Sequence, residues 1–487
     1  MSWFNQGRFL IGLIQRLAPQ PVTPMFPYVL LACCYVISHT LLLAIHGLQH
    51  SWKTHLGYLI FILFPTNWLS QEFAINVPGF GVGLALTCFC AYSTLRIHSR
   101  DCGYRFRIQS IAIILLLVLA IGGFQSLITL YLSIGLGSVL FNQYHTIRPQ
   151  ADSSTSRGMT QLLLPWLIYA ALAIILHTLI LKLYLLLSHS DVHQIDRYFR
   201  SPYFMLRTQA KSYILGNITQ LLETYLRPGI FYGHRLWAFT ALITGFPLVM
   251  LANESMRRQR QSDKRSRSSG SEELLTKIWP TQISIGLALL AMPLALNLIS
   301  TPYRIPMRAL MALPYLGWLA AALWLHARPA VPALCAGNHR LTVITGAFFS
   351  GVLICQCLLC TTSYYAARAY NFRSDQLVAS TIVSALNQSP STSKAEVYEF
   401  ASMGALQRIN PYPTAMYSTA GSSFFNWDGG SPGRIVAWLK AMGINTIKPA
   451  TAAHYSKYKQ VLLAMPTWPT PGSIDIVENT ILVKFAD

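Results

Sequence analysis

The chain has 487 residues, of which 53% are apolar and only 11% charged, and its mean hydropathy is +0.40. Soluble proteins are roughly one quarter charged, so this composition excludes a disordered chain and an ordinary soluble one. The 37 lysines and arginines against 17 acids give a net charge of +20. In a chain that crosses a membrane, this excess is typical of cytoplasmic loops rather than of nucleic-acid binding.

Apolar runs predict a polytopic α-helical membrane protein with about 9–10 membrane segments, because a spanning helix needs about 20 mostly apolar residues. The predicted segments are 26–46, 56–69, 78–97, 108–123, 125–141, 161–188, 235–252, 279–300, 309–327 and 341–366. The pair at 108–141 is too short for two full crossings and is interrupted at Gly122-Gly123. It therefore predicts either a short hairpin or a re-entrant segment.

The distribution of positive charge predicts the orientation. The basic loop 253–278 is expected in the cytoplasm. Counting outward places 1–25, 70–77, 189–234, 301–308 and everything after 366 on the extracytoplasmic side. No signal-peptide order is visible at the amino end, so this count leads us to expect a further span upstream of Met1.

The chain from 367 to 487 has the composition of a small soluble domain, separate from the membrane domain 1–366. RSDQLVASTIVSALNQ and SPGRIVAWLKAMGI predict helices, and PGSIDIVENTILVKF predicts a strand, a turn and a strand. We expect a small C-terminal extracytoplasmic α+β domain. The nine cysteines lie mostly in apolar runs and are interpreted as small core residues, so no metal site is predicted.

The segment 189–234 has apolar residues at helical spacing with basic residues between them. It predicts an amphipathic helix on the membrane surface. The alternative is a basic surface for a lipid-linked phosphate, with Arg197, Arg200, Arg207 and Lys211 as donors.

Few carboxylates are available for catalysis. Glu72 is the candidate general base, and an ordinary interfacial carboxylate is the alternative. Asp375, Asp191 and Asp196 are further acids on the same predicted side, and Asp375 is a candidate substrate-binding residue. Each of these is explained equally by solvation.

Arginines near the predicted outer membrane plane are candidates for binding a phosphate. Arg304 and Arg308 lie in a short loop and Arg8 near the amino end. Each could bind an anionic leaving group or simply extend to the interface at a helix end. No Gly-rich nucleotide-binding signature is present, which favours a lipid-linked sugar as donor.

Several segments resemble one family over nearly the whole chain. They are SWFNQGRFLIGLI, FPTNWLSQEF, GGFQSLITLYLSI, PMRALMALPYLGWLAA, YYAARAYNFRSDQLVASTI and MPTWPTPGSIDIVENTILVKF. In this order and spacing they resemble the GtrII-like serotype-converting glucosyltransferases that modify bacterial O-antigen. On this resemblance, Trp3, Gly7 and Arg8 are expected at the edge of the substrate site.

The resemblance implies a GT-C-type hexosyltransferase of the bacterial inner membrane. It implies transfer of glucose from undecaprenyl-phosphate-glucose to undecaprenyl-linked O-antigen units on the periplasmic face. The implied mechanism is a single displacement without cofactor or metal, and the implied companions are a flippase and a bactoprenol glucosyltransferase.

One departure from the family concerns the amino end. The family begins with a further span and an Asp-rich outer loop, whereas Met1 here falls almost on the Trp…Gly-Arg segment. The family's base is therefore not transferred to a residue of this chain, and an inactive relative of the enzyme is an alternative. A lipid-linked sugar transporter or flippase, or an O-antigen polymerase, are the others, although Lys182 is the clear charge within a predicted span.

Overall fold

The computed structural model divides into two compact units, Met1–Leu359 and Cys360–Asp487, each described by itself below. The structure describes residues 3–17, 25–70, 76–97, 104–145, 159–189, 202–227, 231, 233–245, 272–298, 307–326, 336–388, 397–406 and 423–486. The division and the predicted domain boundary at 366 both fall within one long helix, Ala336–Gln388.

The first unit is a bundle of apolar helices. Its helices are α1 (Phe9–Leu17), α2 (Phe26–Ile45), α3 (Trp52–Leu63), α4 (Pro65–Ser70), α5 (Val77–Ile97), α6 (Tyr104–Ile121), α7 (Leu127–His145), α8 (Met159–Leu187), α9 (Pro202–Leu226), α10 (237–245), α11 (Glu272–Ala291), α12 (Leu313–Leu325) and the first part of α13 (Ala336–Gln388). Short 3-10 turns lie at Trp3–Gln6, Met292–Leu298 and Met307–Ala309.

Among the described residues, four helices are long and apolar enough to cross a membrane. They lie at Phe26–Ile45, Val77–Ile97, Leu162–Leu187 and Arg340–Gln388, and four shorter apolar helices accompany them. The prediction of a mostly helical protein with several membrane segments is confirmed, whereas its orientation stays a prediction.

The predicted segment 56–69 is two helices, not one. Phe64 has φ −59° and ψ 134°, which ends α3, and α4 begins at Pro65. A residue before proline is pushed out of the helical region by the proline ring. The break exposes a corner in the bundle where α4 packs against the Met307–Ala309 turn.

The segment 108–141 forms a helical hairpin. Helices α6 and α7 have 18 and 19 residues, about 27–28 Å each, and residues 122–126 connect them. Glycine is needed at Gly123, since a Cβ there would lie 2.6 Å from the carbonyl oxygen of Gly79 at the start of α5. The turn of the hairpin and the amino end of α5 therefore meet at one end of the bundle, which we call the turn end.

Helix α12 is the centre of this bundle. It has only 13 residues, shorter than the predicted 309–327, and every one of them is buried. A helix that is apolar on all sides is stable only inside a protein or a membrane. Its Tyr315 hydroxyl lies 3.1 Å from His46 Nε2 at the end of α2.

The second unit contains a small mixed sheet, as the predicted C-terminal α+β domain requires. Its strands are β1 (Tyr398–Met403), β2 (Ile447–Pro449), β3 (Ile474–Val477) and β4 (Thr480–Lys484), in the order β2-β1-β4-β3. β1 is parallel to β2 and β4, and β3 and β4 form the predicted antiparallel hairpin. The helices α14 (Pro432–Ala441) and α15 (Ala452–Ala464) complete it.

Both faces of the sheet are covered. On one face, Val378 and Ile382 of α13 and Ile435 and Leu439 of α14 pack with the sheet in one core. On the other face, α15 packs through residues that include Tyr458 and Leu462. Because α13 is about 80 Å long and a bilayer core is about 30 Å thick, its carboxyl-terminal part is available to serve as a layer of this unit.

We expect Phe425→Ala to destabilise the second unit by about 3–5 kcal/mol, because it leaves a cavity in a packed core. Phe425 is fully buried, and its ring centroid lies 5.6 Å from that of Trp438 and 5.5 Å from that of Phe485. Hydrogen exchange of the β4 amides in the detergent-solubilised chain measures the effect. Phe424→Ala, at a half-exposed neighbour, is the control; an equal loss there would contradict the assignment of Phe425 to the core.

Candidate functional site

The segment before α1 brings Arg8 to the turn end of the bundle. Gly7, with φ +70°, joins the Trp3–Gln6 turn to Arg8 and α1. The Leu10 amide donates to the Gly122 carbonyl at 3.0 Å. The partly buried guanidinium of Arg8 lies 5.6 Å from the ring centre of Phe124 in the same turn.

A second arginine lies within electrostatic reach of Arg8. Arg308 is half-buried in the Met307–Ala309 turn, which packs on α4. Burial lowers the pKa of Arg8 to about 10, and the positive charge of Arg308 lowers it further in the same direction. Both guanidinium groups stay charged at neutral pH. Two like charges held together in a partly dry site favour an anion between them.

Buried polar atoms occur in the segments that border this end. Thr66 on α4, Asn76 at the amino end of α5 and Ser126 in the turn are at most 3% exposed. Within the described residues, Thr66 Oγ1, Asn76 Oδ1 and Ser126 Oγ have no hydrogen-bond partner. A buried polar atom without a partner costs free energy, so a polar ligand would stabilise such an end.

A lipid-facing surface borders the Arg8 segment. The ring centroids of Tyr184 on α8 and Phe4 lie 5.5 Å apart. The side chains of Leu179, Leu183 and Leu186 on α8 are 57%, 57% and 72% exposed. The same helix thus supports the cationic segment and presents apolar side chains outward.

The other predicted site residues are placed as follows. Gly7 and Arg8 lie together, and Trp3 belongs to the adjoining 3-10 turn, although its side chain is outside the description. Glu72 and Arg304 lie outside the described residues, as do Asp191, Asp196, Arg197 and Arg200. Arg207 and Lys211 lie on α9.

Asp375 belongs to the second unit, beyond the predicted span 341–366. Its carboxylate is 1% exposed and accepts hydrogen bonds from Ser423 Oγ and, at 2.9 Å, from the Phe424 amide. Burial raises its pKa to about 6, although these two hydrogen bonds oppose the rise. The side chain fastens α13 to residues 423–425, which gives it a clear structural role.

We expect Asp375→Asn to flatten the pH dependence of this unit's stability. Because the folded-state pKa of Asp375 is raised, its protonated form stabilises the fold below the unfolded pKa of about 4, and that contribution is lost as the pH rises through 6. The loss is about 3 kcal/mol at most. Hydrogen exchange of the β1 and β4 amides, corrected for intrinsic rates between pH 4 and 8, measures it. An unchanged slope in the variant would contradict this assignment.

The second unit also has an open cleft of about 510 Å³. It lies beside Ser402 and Gly404 at the end of β1, and the first residues of α14 and α15 border it. Backbone amides at helix starts and several hydroxyl groups line it, a surface suited to polar ligands.

Sequence reasoning missed His177 and Gln125, which contact the Arg8 segment. His177 lies on α8 and its Nε2 is 2.8 Å from the Gly7 carbonyl oxygen; Gln125 Nε2 donates to the Gln6 carbonyl at 2.9 Å. A histidine in an otherwise apolar span was the available signal.

The fold defines a polytopic helical membrane protein with a paired cationic end. A comparison with protein-family models matches residues 1–325 to the family described as Glucosyl transferase GtrII, and the chain belongs to that family. It is therefore a membrane protein of the glucosyltransferase class, as the resemblance predicted. Comparisons with curated proteins and with solved structures found no match.

Proposed function

We propose that this chain transfers glucose from undecaprenyl-phosphate-glucose to lipid-linked O-antigen repeat units on the periplasmic face of the inner membrane. The observation that carries the proposal is the convergence of Arg8 and Arg308 at one end of a bundle that belongs to the glucosyltransferase family. The charge of this pair suits a sugar donor whose leaving group is a phosphate monoester.

The chemistry of the proposed step is a displacement at the anomeric carbon. The acceptor hydroxyl oxygen forms a bond to C1 of glucose, and the bond between C1 and the phosphate oxygen breaks. The electron pair of that bond stays on the polyprenyl phosphate, whose increased negative charge Arg8 and Arg308 stabilise. The hydroxyl proton passes to a general base, for which Glu72 is the proposed residue.

The surroundings of Arg8 support a donor on a lipid carrier. Its segment packs on α8, whose exposed Leu179, Leu183 and Leu186 suit contact with acyl or prenyl chains. A donor in the bilayer would thus reach the two cations laterally. A flippase and a bactoprenol glucosyltransferase would supply it on the periplasmic side, and the C-terminal unit would face that side as well.

Expression in a strain that makes lipid-linked glucose and an unmodified O-antigen tests the proposal. We expect mass spectrometry of the O-polysaccharide to show one added hexose per modified repeat. The increment should be lost in Glu72→Ala and kept in Glu478→Ala, which changes an exposed acid of the β3–β4 turn. A chain that is present in the membrane and adds no hexose would contradict the proposed function, and an increment that survives Glu72→Ala would exclude Glu72 as the base.

A further inference from the structure

The backbone on both sides of Arg8 is held by groups from two other parts of the bundle. The carbonyl groups of Gln6 and Gly7, directly before Arg8, meet the side chains of Gln125 and His177. The Leu10 amide, directly after it, meets the carbonyl of Gly122 at 3.0 Å. Three hydrogen bonds thus hold a segment that is too short to be a stable helix by itself.

His177 is fitted closely to its partner. A carbonyl oxygen only accepts, so His177 Nε2 carries the hydrogen in this contact. The side chain is buried, and its ring centroid lies 5.3 Å from that of Phe9. A Cβ at Gly7 would lie 3.0 Å from Cε1 and 3.3 Å from Nε2 of this ring. The imidazole therefore occupies space that only a glycine leaves open.

Gln125 connects the Arg8 segment to the turn of the hairpin. The same turn supplies Phe124, whose ring lies beside the Arg8 guanidinium, and Gly122, which accepts from Leu10. The position of Arg8 is thus defined from one side by the turn and from the other by α8.

We propose that His177 and Gln125 are positioning residues for glucose transfer, which hold the Gln6–Gly7 backbone so that Arg8 stands next to Arg308. The inference rests on the proposed function, in which these arginines receive the leaving phosphate. Neither residue touches the substrate in this account. Their effect on the reaction passes through Arg8, and a misplacement of about 1 Å at a reacting centre can cost up to 100-fold in rate.

A residue that only helps the bundle to fold would behave differently. Its loss would lower the amount of folded protein and the melting temperature, and the remaining enzyme would keep its turnover. A positioning residue lowers kcat at constant folded amount, and its effect depends on the group it positions. The test therefore needs both a kinetic and a coupling measurement.

The experiment uses the full chain in proteoliposomes with undecaprenyl-phosphate-glucose and a lipid-linked O-antigen acceptor. His177→Phe keeps a ring without the donor, His177→Gln restores a donor, and Gln125→Leu removes the second contact. Leu179→Phe, on the exposed side of the same helix, is the control. We expect His177→Phe and Gln125→Leu to lower kcat about tenfold with little change in KM or melting temperature. His177→Gln should recover most of the loss.

The coupling test repeats His177→Phe in an Arg8→Lys background. We expect Arg8→Lys to reduce kcat and His177→Phe to add less than a twofold further loss, because the group it positions is already altered. Gln125→Leu gives the same test if His177→Phe does not fold. Equal factors in both backgrounds, or a loss that follows the melting temperature, would overturn the inference.

Failures of the two proposals are distinguishable. If Arg8→Lys is impaired and both His177→Phe and Gln125→Leu are fully active, only the positioning inference is wrong. If Arg8→Lys is as active as the unaltered chain, the phosphate role of Arg8 fails, and the positioning inference falls with it.

Discussion

Replacing Arg8 or Arg308 by alanine is expected to lower the rate of glucose transfer by about 100-fold or more. Each guanidinium stabilises negative charge that grows on the departing phosphate, and removal of one such preorganised group typically costs a factor of 100–1,000 in kcat. The pair is partly buried, so water does not replace a lost charge effectively. Single-turnover transfer of labelled glucose in proteoliposomes measures the rate of this step.

Arg96→Ala is the matched control for this prediction. Arg96 is exposed in the last turn of α5, the helix whose other end borders the turn end. It has the same charge and lies about 30 Å along the helix from Val77. An equal loss in all three variants would show that net charge, and not the Arg8–Arg308 pair, supports transfer.

The second large effect is expected at Gly137, where we predict that alanine prevents normal packing of the bundle. A Cβ at Gly137 on α7 would overlap the hydroxyl of Tyr315 and lie 2.9 Å from Leu319 Cδ2 on α12. Tyr315 has little freedom to move, because it is fully buried and its hydroxyl is hydrogen-bonded to His46. Overpacking of this kind costs about 1–3 kcal/mol or more, and the fraction of monodisperse protein after detergent extraction measures it.

Gly286→Ala is the control for Gly137→Ala. Gly286 lies on α11 and a Cβ there would meet nothing within 4 Å, so alanine should be neutral or slightly stabilising through its helix propensity. Tyr315→Phe combined with Gly137→Ala should recover part of the loss, since it removes the overlapping hydroxyl. A Gly137→Ala chain as stable as the Gly286→Ala chain would contradict the observed contact between α7 and α12.

The positions of the membrane helices were largely predictable, because length and apolar composition are local properties. The break between α3 and α4 also had a local signal in Pro65, which the apolar run 56–69 hid. The short α12 was predicted as a span, but its complete burial within the bundle depends on neighbours that a single run does not reveal. In the second unit, the β3–β4 hairpin was predictable from alternation, whereas β1 and α15 were missed.

The candidate site was predictable only in part. Arg8 and Arg308 were each proposed from their own surroundings, but their proximity depends on folding of segments far apart in the chain. The contacts of His177 and Gln125 with the Gly7 segment depend on tertiary packing in the same way. Asp375 was predicted as a substrate-binding residue, and its hydrogen bonds to 423–424 could not be derived from the helical pattern around it.

Donor choice by the purified full chain tests the central claim most directly. Proteoliposomes containing the lipid-linked O-antigen acceptor would receive either undecaprenyl-phosphate-glucose or a nucleotide-linked glucose as the sole donor. The account predicts transfer of glucose to the acceptor from the lipid-linked donor alone, with a strong reduction in Arg8→Ala. Transfer from the nucleotide-linked donor, or full activity of Arg8→Ala with the lipid-linked one, would contradict it.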